Sequence, residues 1–235
     1  YGATLSLWKA LNDHQENTPV IKVFNPMVSK NGWKSSHTII EIIIGDMPFL
    51  VDSIRIALNR LNLSPHLMLN SPIKLVRDNK QAISQLAPAA DKSFKATSTE
   101  TVFFIEIDRQ SEQTALDEIK DELESVLSDI SITVNDWQAM RNRLEDVISD
   151  RTKAKLPCSS KEKEDGLAFL KWMLNDNFTL LGYRSYDVKT LEGDVALATD
   201  NKSSLGLMKQ STGTPERLIS TLSESARQLA LGENL

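Results

Sequence analysis

The longest apolar stretch in the chain, TIIEIII at residues 38–44, is hydrophobic at both alternating sets of positions. A strand of that kind is buried on both faces, so it belongs in the middle of a sheet. After Gly45-Asp46-Met47-Pro48 the period changes. Leu50, Ile54, Ala57, Leu58 and Leu61 recur at spacings of three and four, as one face of a helix requires. LSPHLMLNSPIKLV (63–76) is extended and carries Pro72. Proline cannot donate to a ladder, so this strand is expected at an edge. TVFFIEI (101–107) has the composition of a second central strand. Leu116, Ile119, Leu123, Val126, Leu127 and Ile130 predict a second amphipathic helix, and alternation at Ile130, Ile132 and Val134 predicts a short last strand.

Strand, helix, strand, strand, helix, strand is the split βαβ order of a ferredoxin-like sandwich. Right-handed crossovers put both helices on one face and make the first and third strands central. The expected class is therefore α+β, with this βαββαβ unit at 36–136. Residues 1–35 read as a lead-in of one short helix and one short strand, closed by the turn dipeptides Asn25-Pro26 and Asn31-Gly32. The polar stretch 79–100 is long for a hairpin and reads as a flexible insert, either a disordered tip or a partner-contacting flap. Asp136 is the expected N-cap of a helical connector at 137–158, with an apolar stripe of Trp137, Met140, Leu144, Val147 and Ile148. Residues 159–235 read as the start of a second, truncated α+β unit. It has a helix near 167–174, a strand at 178–188, a hairpin turn at Glu192-Gly193, a return strand at LGLMK, and a last helix over RLISTLSESARQLAL.

Composition narrows the function. The chain has 235 residues, 40% hydrophobic and 25% charged, with 27 Lys and Arg against 32 Asp and Glu. It is acidic, with a pI near 5.3. No cationic block stands out to neutralise phosphates, so nucleic acid is not an expected partner. A single Cys158 excludes an intrachain disulfide framework and a cysteine-based zinc site, which suits a reducing cytoplasm. The acceptor-like triplets at Asn62, Asn177 and Asn201 carry no meaning without a secretory signal. No apolar run approaches the roughly 20 residues of a membrane span.

Catalytic machinery is not legible. The glycines form no G-x-G pair and no G-x-S-x-G elbow. His14, His37 and His66 have no metal-ligand spacing. Attention falls instead on GDMPFLVDSI (45–54). Asp46 at a strand end can cap the following helix, Pro48 is tolerated in its first turn, and a carboxylate there suits the helix dipole. The same free amides can hold the carboxylate of a small molecule. Both readings stand on these residues.

A strand followed by D-x-P and an apolar helix resembles the ACT domain, a regulatory module that often binds amino acids. The resemblance implies an effector site at Asp46, Met47, Pro48, Phe49, Leu50, Asp52 and Ser53. The usual pattern has Gly after the Pro; here Phe49 stands there, and its ring would fill the space a ligand needs. VFNP (23–26), GW (32–33), HTIIEIIIGDMPFLVDS (37–53), IEIDRQ (105–110), DW (136–137) and FLKWMLNDNFTLLGYRSYD (169–187) together resemble the large bacterial NAD-specific glutamate dehydrogenases. The implied parent oxidises L-glutamate to 2-oxoglutarate and ammonia with NAD, in a catalytic region far downstream. This chain would then be an amino-terminal regulatory or assembly region, inactive alone, with no catalytic, metal or cofactor-binding residue of its own. It is expected to be cytoplasmic and to form homo-oligomers through sheet edges or helices. Membranes are not an expected partner. The alternative is a free-standing amino-acid-sensing module.

Overall fold

The computed structural model describes residues 1–14, 18–78, 81–156, 158–191, 194–211, 216–225 and 227. The architecture is α+β, with antiparallel sheets, and divides into two units, Tyr1–Ser131 and Ile132–Leu235.

The first unit contains α1 (Gly2–Asp13), β1 (Val20–Phe24), α2 (Val28–Asn31), β2 (Thr38–Gly45), α3 (Leu50–Arg60), β3 (Leu67–Arg77), β4 (Ile83–Pro88) and β5 (Ser98–Ile107). It also contains the first part of α4 (Gln113–Lys153). Its sheet has the order β1-β2-β5-β3-β4, every neighbouring pair antiparallel. The two strands expected at the centre, β2 and β5, are there, and β2 is buried from Thr38 to Ile44. Burial on both faces requires cover on both. On one face α1 packs Leu7, Ala10 and Leu11 against Ile43, Leu75, Val20 and Val102. The other face, Ile40, Ile42 and Ile44, is left to the buried stripes of α3 (Leu50, Ile54, Ala57, Leu58) and of α4 (Leu116, Ile119, Leu123, Leu127, Ile130). Burying a side chain as large as isoleucine stabilises by about 1.5–3 kcal/mol, so these stripes are the main source of stability.

Several expectations need correction. Residues 130–134 are helix, not strand, because α4 runs unbroken to Lys153. Helical spacing continues through buried Leu123, Leu127 and Ile130, and a few alternating residues cannot outweigh it. Asp136 is consequently inside a helix and caps nothing, and no break separates the sandwich from a connector at 137–158. The edge place beside β2 is taken instead by β1 from the lead-in. The insert at 79–100 is not simply a flexible tip, since it contributes β4, paired with β3 from Ile73↔Pro88 to Arg77↔Ile83. Pro72 is therefore not on an edge strand. It sits one residue beyond the β3–β4 ladder. Its carbonyl accepts from the Ala89 amide at 3.3 Å, so its nitrogen faces the side where pairing stops and no ladder bond is lost.

The second unit contains the rest of α4, α5 (Ser160–Trp172), β6 (Gly182–Leu191), β7 (Asp194–Gly206) and β8 (Glu216–Leu218), with sheet order β6-β7-β8. A capping box starts α5: the Ser159 hydroxyl accepts from the Glu162 amide, and the Glu162 carboxylate accepts from the Ser159 amide. The Asp136 carboxylate accepts from the Gly206 amide at 2.7 Å and from Lys209 Nζ at 2.7 Å. Gly206 has φ +57°, and a Cβ there would lie 2.3 Å from the Leu181 carbonyl oxygen. Only glycine fits. Leu205 and Gly206 of the expected return strand pair with Tyr183 and Gly182, while Leu207–Lys209 is a 3-10 turn. The expected last helix begins instead as β8 and a 3-10 turn at Ile219–Thr221, and helix appears only from Glu224, at Glu224, Ser225 and Arg227, whose amide donates to the Ser223 carbonyl at 2.9 Å. Residues 226 and 228–231 and the Glu192-Gly193 turn lie outside the described residues.

Candidate functional site

The D-x-P corner joins the buried end of β2 to α3, and its seven predicted residues span the connecting turn and the start of α3. Asp46 does not cap the helix. Its amide donates to the Thr99 carbonyl at 2.9 Å, and its Oδ1 accepts from the Thr101 hydroxyl at 2.6 Å, so both groups tie the corner to β5. Among the described residues, no side chain caps α3. Phe49 is the residue before the helix and has φ +73°, ψ −2°, the left-handed region that a Gly would occupy without strain. The residue is 53% exposed, so it stands about half in solvent. The Ser53 amide donates to the Phe49 carbonyl at 3.0 Å, Leu50 is buried, and Asp52 lies in the first turn, where a negative charge suits the dipole. Met47 is half-buried, with its sulfur 3.8 Å from the Ser131 hydroxyl. Pro48 is exposed. The corner offers first-turn amides uncapped by any described side chain, beside an exposed ring and an anchored carboxylate.

Sequence reasoning missed a buried polar group on the α1 side of the sheet. Glu100 of β5 accepts from Arg77 of β3 through Nε at 3.2 Å and Nη2 at 3.1 Å, while His14 Nδ1 lies 2.9 Å away. Arg77 also donates to the Leu11 carbonyl at the end of α1 and to the Gln81 carbonyl. Burial alone would raise the Glu100 carboxyl, but His14 and Arg77 outweigh it and hold the group below the usual range. The same face contains Glu41, fully buried in β2, with no hydrogen bond to either carboxylate oxygen. Burial pushes its carboxyl up; the nearby Ser6 hydroxyl and the Lys22 charge offset that only in part. At the other end of the strands the His37 and His66 rings lie 4.9 Å apart, near Glu106 and Asp108. Among the described residues, no group of three or more His, Cys, Asp or Glu side chains has a geometry that would hold a metal. None of their helices is long and apolar enough to cross a membrane.

Residues 1–123 match the family model described as glutamate dehydrogenase, ACT1 domain. The chain belongs to that family. Two curated relatives bear the name NAD-specific glutamate dehydrogenase. The one from Pseudomonas aeruginosa is 32% identical over 208 residues, covering 88% of this chain and 13% of the relative. The one from Halomonas elongata is 34% identical over 213 residues, covering 89% and 13%. This ACT1-family chain thus spans about one eighth of the length of the relatives it matches. No solved structure matches it. The ACT1 match takes in α1 and β1 as well as the D-x-P corner, which agrees with their place in one sheet.

Proposed function

We propose that this chain is an amino-terminal, non-catalytic regulatory and assembly region of a cytoplasmic NAD-specific glutamate dehydrogenase. The parent would convert L-glutamate, NAD and water to 2-oxoglutarate, ammonia and NADH. One observation carries the reading: the ACT1 match over residues 1–123, in a chain that covers only 13% of dehydrogenases bearing that name. Assembly is favoured over sensing because Phe49 replaces the glycine through which a ligand would reach the backbone. The surfaces for it are the sheet edges β1 and β4 and the exposed side of α4. The experiment is sedimentation of this chain over a wide concentration range. A mass rising reversibly from monomer to dimer is expected, and a monomer throughout would remove the assembly role.

A second reading is favoured by the uncapped start of α3. Those amides, with Asp46 and Ser53, would receive an amino-acid effector at 46–53. Saturation at about 100 times the dissociation constant adds about 2.7 kcal/mol of stability, which a melting experiment with a panel of amino acids would detect. If no amino acid shifts the melt, the sensing role fails and assembly stands alone.

A further inference from the structure

A cleft of about 730 Å³ runs along β1, an open edge of the first unit's sheet, and the assembly role proposed for that edge does not account for its charge. Five cationic side chains line it, each from a different part of the chain: Lys9 of α1, Lys22 of β1, Lys30 of α2, Arg109 after β5, and Lys120 of α4. No acidic side chain lines it among the described residues. In a chain where 32 acids outnumber 27 bases, such a gathering runs against the overall balance. An edge strand commonly carries a lysine, and that accounts for Lys22. It does not account for four more cations delivered by helices and a loop.

The charges are available. Lys9 and Lys30 form no ion pair with any described residue. Lys22 and Lys120 meet Asp13 at 3.3 Å and Glu124 at 3.5 Å, in exposed pairs of the kind that contribute little and exchange readily. Arg109 donates through Nη1 to the Ser35 carbonyl at 3.2 Å, which steadies the guanidinium and leaves other donors of its fork for a ligand. The volume lies within the range of small-molecule sites, roughly 300–1,000 Å³. Leu5, Val23 and Leu116 add apolar wall on which an uncharged body could rest.

We infer that this cleft binds a compact polyanion bearing phosphate groups. Four of the five cations are lysines, point charges that hold phosphate oxygens without a fixed bidentate geometry, and the fifth is an arginine, whose fork matches a phosphate; together they suit a dense negative charge. The site is distinct from the D-x-P corner, whose residues do not line it.

Titration calorimetry with inorganic tripolyphosphate tests the assignment. Saturable one-to-one binding is expected, weakening steeply as salt rises because the cations are exposed. The double substitution Lys9→Gln with Lys30→Gln should weaken it by about tenfold or more. The same charge change at Lys153 and Lys155, outside the cleft, should alter it by less than about twofold. Amide chemical shifts of the unsubstituted protein should move most around Asn31 and Gln113. The inference is overturned by heats no larger than those of chloride at matched ionic strength, by equal losses in the two double variants, or by shift changes centred elsewhere. Tighter binding of tricarballylate than of tripolyphosphate would overturn the phosphate assignment.

Discussion

Two glutamates occupy the same face of the same sheet, on neighbouring strands beneath the same helix, and meet opposite fates. Glu100 is enclosed by Arg77 and His14 and stays ionised below the ordinary range. Glu41 has no hydrogen bond to either oxygen and holds its proton to higher pH. Burial is alike, since both residues are almost wholly excluded from water. The difference lies in the partners. A carboxylate held in a fork by a guanidinium tolerates low dielectric, whereas one next to a hydroxyl and a more distant amine does not.

Removing Arg77 should have the largest effect. Arg77→Ala leaves Glu100 with His14 and the Ser98 hydroxyl and frees the Leu11 and Gln81 carbonyls, so a loss of about 3–5 kcal/mol is expected in urea unfolding. Arg77→Lys should recover only part of it, because a point charge cannot serve both carboxylate oxygens and a carbonyl. Glu100→Gln comes next, costing about 2 kcal/mol at neutral pH. Glu41→Gln should act in the opposite direction, stabilising at neutral pH because it removes a buried ionisable acid. Smallest is Ser6→Ala, expected to cost no more than about 0.5 kcal/mol, because it removes a hydroxyl near Glu41 without breaking a formed hydrogen bond. Equal signs for Glu100→Gln and Glu41→Gln would break the contrast.

The pH dependences sharpen it. Glu100 ionises at lower pH folded than unfolded. Its contribution is therefore present above the ordinary glutamate value and is lost as pH falls through the lowered folded value. Glu41 is the reverse: stability declines as pH rises from the ordinary value through the raised folded one. Melting curves of the two Gln variants against pH should show the Glu100→Gln deficit vanishing at low pH and the Glu41→Gln gain growing toward neutral pH.

Much of the first unit was readable from the sequence because its signals were long and periodic. The apolar run of β2, the three-four spacing of α3 and the run of β5 each specify one state. Ile130-Ser131-Ile132-Thr133-Val134 did not, because so short an alternation suits a strand or a half-buried helix, and the helix was already under way. β4 was hidden because ISQLAP faces solvent for most of its length and reads as loop. The corner was legible as a place, but the role of Asp46 was not. Its partner Thr101 lies 55 residues away, and local sequence favours the cap. His14, Arg77 and Glu100 escaped for the same reason: His14 figured only as a histidine without metal-ligand spacing, and Arg77 and Glu100 not at all, until the fold brings the three together. The cations along β1 are likewise dispersed from residue 9 to residue 120 and make no block in the sequence.

Glutamate-dependent formation of NADH, measured with this chain alone and with a full-length dehydrogenase that carries it, is the most direct test of a regulatory rather than catalytic region. The full-length enzyme is expected to produce NADH and this chain to produce none above the blank. Sustained NADH production by the isolated chain would contradict that assignment.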